Sequence, residues 1–226
     1  MEDTVDHNLV KSRQRVIDHG EVFTPPWIVE EMLDLIKNES ERIDSRFLEP
    51  ACGSGNFLVA VLARKLATVE AIYGKNDFEK RQHALLALMC IYGIELLEDN
   101  VLECRQNLLN VFLDYLKIEA SSDVVEFARI VLDSNIIRGD ALKMTRQDGA
   151  AIVFPEWAYL TKGKFSRRDF RFDNLTERSA YSGTLFDLLP EQALFVPFTE
   201  YPRMSIEEMC RYFQAEYRQS DVSTND

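Results

Sequence analysis

The chain has 226 residues, 46% of them hydrophobic, and a formal net charge of −12 at pH 7. That length suits one large domain, or one domain with an appendage, and the acidity argues against broad, non-specific affinity for nucleic acid, which draws on a basic face. No apolar run approaches the roughly 20 residues of a spanning helix, and the polar start MEDTVDHNLVKSRQ lacks a signal-peptide core, so a cytoplasmic location is expected.

Residues 1–20 read as a polar lead-in. In TPPWIVEEMLDLIKNES, Thr24 is placed to cap a helix and Pro25 and Pro26 suit its boundary and first turn. Ile28, Met32, Leu35 and Ile36 share one face of it, and Trp27 is expected in the core. SRFLEPAC reads as a short buried strand. GNFLVAVLARKLATVEAIYG is a helix closed by Gly74, and DFEKRQHALLALMC predicts another. IYGIEL is a second strand, apolar up to Glu95. EDNVLECRQNLLNVFLDYLKIE is amphipathic, with Val101, Leu108, Val111, Phe112 and Tyr115 near one face. SSDVVEFARIVLDS predicts a shorter helix, and NIIRGDAL a third strand ending at Asp140. Strands alternating with helices imply an α/β fold, a parallel sheet with flanking helices.

The pattern changes near residue 143. KMTRQDGAAIVFPEWAYL holds an Asp-Gly turn between short apolar runs and predicts a hairpin. Residues 162–190 read as irregular. SIEEMCRYFQAEYRQ predicts a helix with a capping box from Ser205 to Glu208, and SDVSTND a frayed tail. The organisation expected is a lead-in at 1–20, an α/β domain at 21–160 and an irregular extension at 161–226. The scattered Cys52, Cys90, Cys104 and Cys210 form no CxxC pair and the histidines no cluster, so no metal is expected.

Chemistry gathers at the strand ends. Apolar residues run into Pro50, and the small residues Ala51, Cys52, Gly53, Ser54 and Gly55 lead into a helix. Such a turn is expected to leave N–H groups facing outward at a helix N-terminus, where an anion or a nucleotide-like ligand is favoured. In open α/β sheets a ligand sits beyond the carboxyl ends of the strands, and an acid ending the second strand accepts from ribose hydroxyls. Glu95 stands there, and Asp140 ends the third strand. The set suits an adenosine with a charged or polar tail. Cys52 reads as a small turn residue rather than a nucleophile.

GEVFTPPWIVEEML, FLEPACGSGNFL, YGIEL and IIRGDAL, in that order, resemble the amino-terminal half of the adenine-specific, S-adenosylmethionine-dependent DNA methyltransferases of restriction–modification systems. The resemblance covers roughly residues 20–142. It implies a Rossmann-like methyltransferase sheet and S-adenosylmethionine as cofactor. It assigns Phe23, Thr24 and Pro25, with Pro50, Ala51, Cys52, Gly53 and Gly55, to the methionine end, Glu49 orienting that turn. It assigns Glu95 to the ribose, Leu96 to the adenine ring, and Asp140, with Ala141 and Leu142, to the adenine amine.

The family's Asn/Asp-Pro-Pro-Tyr/Phe motif, which accepts hydrogen bonds from the target amine and stacks on the flipped base, is not found in this sequence. The nearest candidate is FPEW, with Pro155, Glu156 and Trp157 as the altered catalytic residues; the competing reading makes AIVFPEWAYL one arm of the hairpin. Only three or four strands of the family's sheet are identifiable, so it is expected to be truncated on its C-terminal side. In KGKFSRRDFRF, Lys162, Lys164, Arg167, Arg168 and Arg171 interleave with phenylalanines, a mixture suited to phosphate contact and base stacking, or to a loop packed on the core. The function expected is methyl transfer to a base amine of DNA, or RNA, with a protein partner available for target recognition. The alternative is a non-catalytic S-adenosylmethionine-binding subunit. A dinucleotide-binding oxidoreductase is disfavoured because PACGSGNF lacks the GxGxxG spacing.

Overall fold

A computed structural model describes residues 11–19, 21–119, 121–174 and 196–223. The helices are α1 (Arg13–His19), α2 (Pro26–Leu35), α3 (Lys37–Ser40), α4 (Asn56–Tyr73), α5 (Asp77–Met89), α6 (Glu98–Leu116), α7 (Asp123–Asn135) and α8 (Ile206–Ser223). The strands are β1 (Phe47–Glu49), β2 (Ile91–Glu95), β3 (Ile136–Asp140), β4 (Thr145–Arg146), β5 (Val153–Thr161), β6 (Lys164–Arg171) and β7 (Thr199–Glu200).

Two sheets form. The first runs β1-β2-β3-β4, with β1, β2 and β3 parallel and β4 antiparallel to β3. Register pairs Glu49 with Gly93 and Glu95 with Arg138, so the three parallel strands end on the same side. β2 is buried along nearly its whole length, as a central parallel strand covered on both faces must be. The core joins Leu58 and Leu62 of α4, Leu85 and Leu88 of α5, Leu108 and Phe112 of α6, and Phe127 of α7.

The second sheet, β5-β6-β7, is antiparallel. It corrects the expectation of an irregular stretch from residue 162: Lys164–Arg171 is a regular strand, paired from Thr161↔Lys164 back to Val153↔Arg171. Phe165, Arg167 and Asp169 alternate onto one face, where Phe165 and Asp169 are buried, while half-buried Phe170 lies on the other face with Arg168 over its ring. The Asp-Gly turn does form, with Gly149 at φ +80° and the Arg146 N–H on the Ala150 carbonyl, but it joins only β4 to the residues just before β5. The longer partner of β5 is β6. Arg167 locks this layer. Its guanidinium pairs with Asp169 and lies 5.1, 4.9 and 4.6 Å from the ring centres of Trp157, Tyr201 and Phe213.

At the termini two expectations change and one, the capping box, holds. A short helix, α1, lies within the lead-in; residues 1–10 and 20 are outside the described set. α8 opens with the capping box: Glu208 N–H donates to Ser205 Oγ and Ser205 N–H to Glu208 Oε2. It continues to Ser223, through most of the expected tail, of which residues 224–226 are undescribed.

α2 packs on a different face from the one its apolar residues suggest. Val29 and Leu33 are buried, whereas Trp27, Met32, Leu35 and Ile36 are exposed. Arg64 of α4 holds Glu30 at 2.5 Å and Asp34 at 2.7 Å, which fixes the rotation of α2. The loop into β1 is anchored from inside the core. Fully buried Lys65 donates to the carbonyls of Arg42, Ile43 and Ser45 at 2.6, 3.2 and 2.6 Å.

Candidate functional site

The chain leaves β1 through a turn whose left-handed backbone favours glycine. Gly53 has φ +53° and Gly55, which precedes α4, has φ +91°. A methyl group on Gly55 would come 2.7 Å from Cys104 Sγ, so α6 presses directly on the turn. Phe23 covers its other side, with a ring atom 3.2 Å from where a Gly53 side chain would start.

Three of the turn's N–H groups, those of Cys52, Gly53 and Gly55, have acceptors within the chain, where the sequence suggested groups facing outward. Cys52 N–H donates to the Ile94 carbonyl and Gly55 N–H to that of Cys52. Gly53 N–H donates to Glu95 Oε2 at 2.9 Å, and Leu97 N–H to Glu95 Oε1 at 3.0 Å. Glu95 thus ties the turn after β1 to the turn after β2. Each of its oxygens keeps a second lone pair for a hydroxyl donor.

Beyond these strand ends lies a cleft of about 500 Å³, within the range of small-molecule sites. Phe23 and Thr24, Glu49 through Gly53, Glu95 and Leu96, and Asp140 through Leu142 all line it. Four stretches distant in sequence therefore converge as expected. Pro25 and Gly55 shape the neighbouring backbone without lining the cleft. Thr24 makes no cap bond to α2, whose N-cap is Pro25, and its side chain is free for the cleft. Asp140 Oδ1 accepts from the N–H groups of Leu142 and Lys143, both at 3.0 Å, and Oδ2 pairs with Lys143 at 2.9 Å. That ammonium holds the carboxyl below its ordinary range. Asp140 thus shapes its own turn as well as facing the cleft.

Glu21, Asn56 and Asn100 also line the cleft, and sequence reasoning did not single them out. Glu21 sits inside the quoted GEVFTPP, but its role depends on partners far along the chain. Arg15 Nε and Nη2 bind it at 2.5 and 2.8 Å, and Asn100 Nδ2 donates to it at 2.6 Å. Arg15, first among these, holds the Glu21 carboxyl below its usual value. Arg15 also pairs with Asp99, and Lys11 with Glu103, so α1 is strapped to the start of α6. Glu49 differs: burial pushes its carboxyl upward. Hydrogen bonding to Cys104, followed by burial, pushes the Cys52 thiol far up and keeps it protonated. This agrees with a packing role for it in the turn.

The candidate catalytic residues are placed elsewhere. Trp157 is buried, and its indole N–H donates to Asn135 Oδ1 at 2.9 Å. Its ring meets Phe127 and Phe213 edge to face, so it has no free surface for a base. The Pro155 carbonyl accepts from the Tyr92 hydroxyl at 2.8 Å. Glu156 pairs with Arg46 and Arg168. None of the three lines the cleft. FPEW lies in β5, an arm of the β5–β6 hairpin and not, as the competing reading had it, of the Asp-Gly one. The basic stretch is largely neutralised: Lys164 pairs with Glu208, Arg167 with Asp169, Arg168 with Glu156 and Arg171 with Asp173. Lys162 sits at the β5–β6 turn with φ +53°.

A family model described as N-6 DNA Methylase matches residues 10–123, just over half the chain. The chain belongs to the N-6 DNA methylase family. The match to that methylase family takes in α1 through α6, including Glu21, the glycine turn and Glu95. It stops before β3, so Asp140 and the second sheet lie beyond it. No curated protein and no solved structure matches the chain. Among the described residues no helix is long and apolar enough to cross a membrane, and no His/Cys/Asp/Glu cluster has the make-up of a metal site.

Proposed function

We propose that the cleft is an S-adenosylmethionine site, and that the chain is the cofactor-binding part of a restriction–modification-type DNA adenine methyltransferase. On this reading β1, β2 and β3 are the first half of a Rossmann-like methyltransferase sheet. The observation that carries it is the charge of the lining. Glu21, Glu49, Glu95 and Asp140 all face the cleft, and the described lining includes neither Lys nor Arg. Arg15 and Lys143 offset two of these carboxylates from outside, while Glu49 and Glu95 are held by backbone N–H groups. A dinucleotide would bring phosphates into that field. S-adenosylmethionine brings a sulfonium and an ammonium against a single carboxylate, a net positive charge, and opposite charges attract strongly where solvent is thin.

The residues divide the work. Glu95, fixed by two backbone donors, is placed for the ribose hydroxyls. Leu96 and Leu142 flank the adenine, and Asp140 faces its amine. Thr24, Glu49 and Phe57, which also lines the cleft, surround the tail. The cofactor, when bound, supplies an electrophilic methyl group; these side chains bind and orient it. Calorimetry with S-adenosylmethionine and with NAD tests the reading. Binding of the first alone is expected, and binding of NAD alone overturns it.

The placement of Trp157 favours a second reading, a cofactor-binding subunit that does not transfer methyl by itself. Tritiated-methyl transfer to DNA and RNA pools separates the two. Activity from the isolated chain that survives Glu156→Ala and Trp157→Phe means that chemistry lies at the cleft and not in β5. Absence of activity with retained cofactor binding supports the subunit.

A further inference from the structure

One wall of the cleft, given by Glu21, Val22, Phe23 and Thr24, is held by charge more than by the core. From Lys11 to Ile28 no apolar side chain among the described residues is buried, and Val29 is the first that is. Ile17 and Val22 are 68% and 60% exposed. Polar contacts across to α6 hold the segment instead, and Arg15 is at their centre. Its guanidinium engages two carboxylates at once. Nε and Nη2 meet Glu21, while Nη1 and Nη2 meet Asp99 at 2.5 and 3.3 Å. Buried Asn100 donates to Glu21 from Nδ2, and its Oδ1 accepts from Lys11 Nζ at 2.6 Å. Lys11 also reaches Glu103 at 2.5 Å and lies 6.0 Å from the centre of the Phe23 ring, which packs on Gly53.

A planar fork of donors suits this double grip, which a single ammonium does not reproduce. Arg15 does not itself line the cleft. What it does for a ligand it does through Glu21 and the three residues that follow. A wall fixed by ion pairs in place of buried apolar area has low local stability, so its position depends on each pair. We infer that Arg15 is a positioning residue for the cofactor: clasped between Glu21 and Asp99, it sets the segment 21–24 against the glycine turn and thereby sets affinity for the cofactor's methionine end. This rests on the reading of the cleft as an S-adenosylmethionine site, with the adenosine toward Glu95, Leu96 and Asp140 and the tail toward Thr24.

Calorimetry with two probes, S-adenosylmethionine and adenosine, separates positioning from general support of the fold. Arg15→Gln is expected to weaken S-adenosylmethionine binding about tenfold and to leave adenosine within about twofold of the wild type. Simple attraction works the other way, since removing a positive charge near the cleft favours a cationic ligand. Arg15→Lys is expected to recover part of the loss, because an ammonium can hold one of the two carboxylates. Asp99 lies outside the lining and has Arg15 between it and Glu21. Asp99→Ala is expected to show the same split between the two probes, and it keeps the test open if Arg15→Gln fails to fold. Thermal unfolding of each variant shows which are folded. Equal losses for both probes in a folded variant, or unchanged affinity for both, overturn the positioning role. Failure of the wild type to bind S-adenosylmethionine rejects instead the reading of the cleft beneath it.

Discussion

Gly55 and Glu95 show how single residues set the site. Gly55 combines φ +91° with a neighbouring sulfur 2.7 Å from any added methyl. Gly55→Ala is expected to cost about 2–4 kcal/mol, from left-handed strain plus overpacking, read as a lowered urea midpoint. Adding Cys104→Ala should recover only the packing part, because the backbone strain remains. Glu95 accepts from Gly53 and Leu97 at once. Glu95→Gln turns one acceptor into a donor facing an N–H. Cofactor affinity is expected to fall about tenfold or more, together with a lower melting temperature. Affinity that is unchanged by calorimetry contradicts the role given to Glu95. Both residues were visible in the sequence as a glycine turn and a strand-end acid. That Glu95 would hold the turn itself was not visible, because it depends on β1 and β2 lying side by side.

At the scale of elements, the strap from α1 to α6 and the lysine beneath β1 each carry an expectation. Arg15 lowers the Glu21 carboxyl in the folded state. A depressed carboxylate contributes stability that is complete above its unfolded pKa and is lost as pH falls through the folded one. Glu21→Gln should therefore remove part of the loss of stability on acidification, measured by urea unfolding from neutral pH downward. Lys65 is lowered by burial to about 8. Between that value and the ordinary lysine range the unfolded chain holds the extra proton, so this residue's contribution to stability rises with pH. Lys65→Met leaves three carbonyls without their donor and is expected to cost roughly 3 kcal/mol or more. The gap between wild type and variant should widen from pH 8 to pH 10. A gap that narrows contradicts the assignment of burial as the dominant cause.

The elements also show where sequence reasoning stops. Helix and strand periods located α4, α5, α6 and β2 because each buries the face its pattern marks. The pattern misled for α2, whose rotation is fixed by Arg64 pulling Glu30 and Asp34 rather than by its apolar stripe. β6 was missed because interleaved Arg and Phe suits a nucleic-acid loop as readily as a strand. The carboxylates of Glu156 and Glu208, brought up by tertiary structure, decide between them, together with Asp169 of the strand itself.

For the whole molecule, the account separates two regions with different tasks. Residues that match the N-6 DNA methylase family supply Glu21, the glycine turn and Glu95. β5, β6 and α8 close the core through Trp157 and Arg167 and leave the cleft untouched. Trp157→Ala should therefore destabilise the fold, by about 3–5 kcal/mol for a buried aromatic, while cofactor affinity in the folded fraction is preserved. A selective loss of affinity at unchanged stability would contradict that separation.

The central claim is that the strand-end cleft takes S-adenosylmethionine. Backbone amides already bonded to its carboxylates report on it most directly: Gly53 and Leu97 on Glu95, Leu142 and Lys143 on Asp140. In an NMR titration with S-adenosylmethionine these four amides are expected to shift together and saturate at one affinity. Saturable shifts confined to β5 and β6, with these four unmoved, would contradict it.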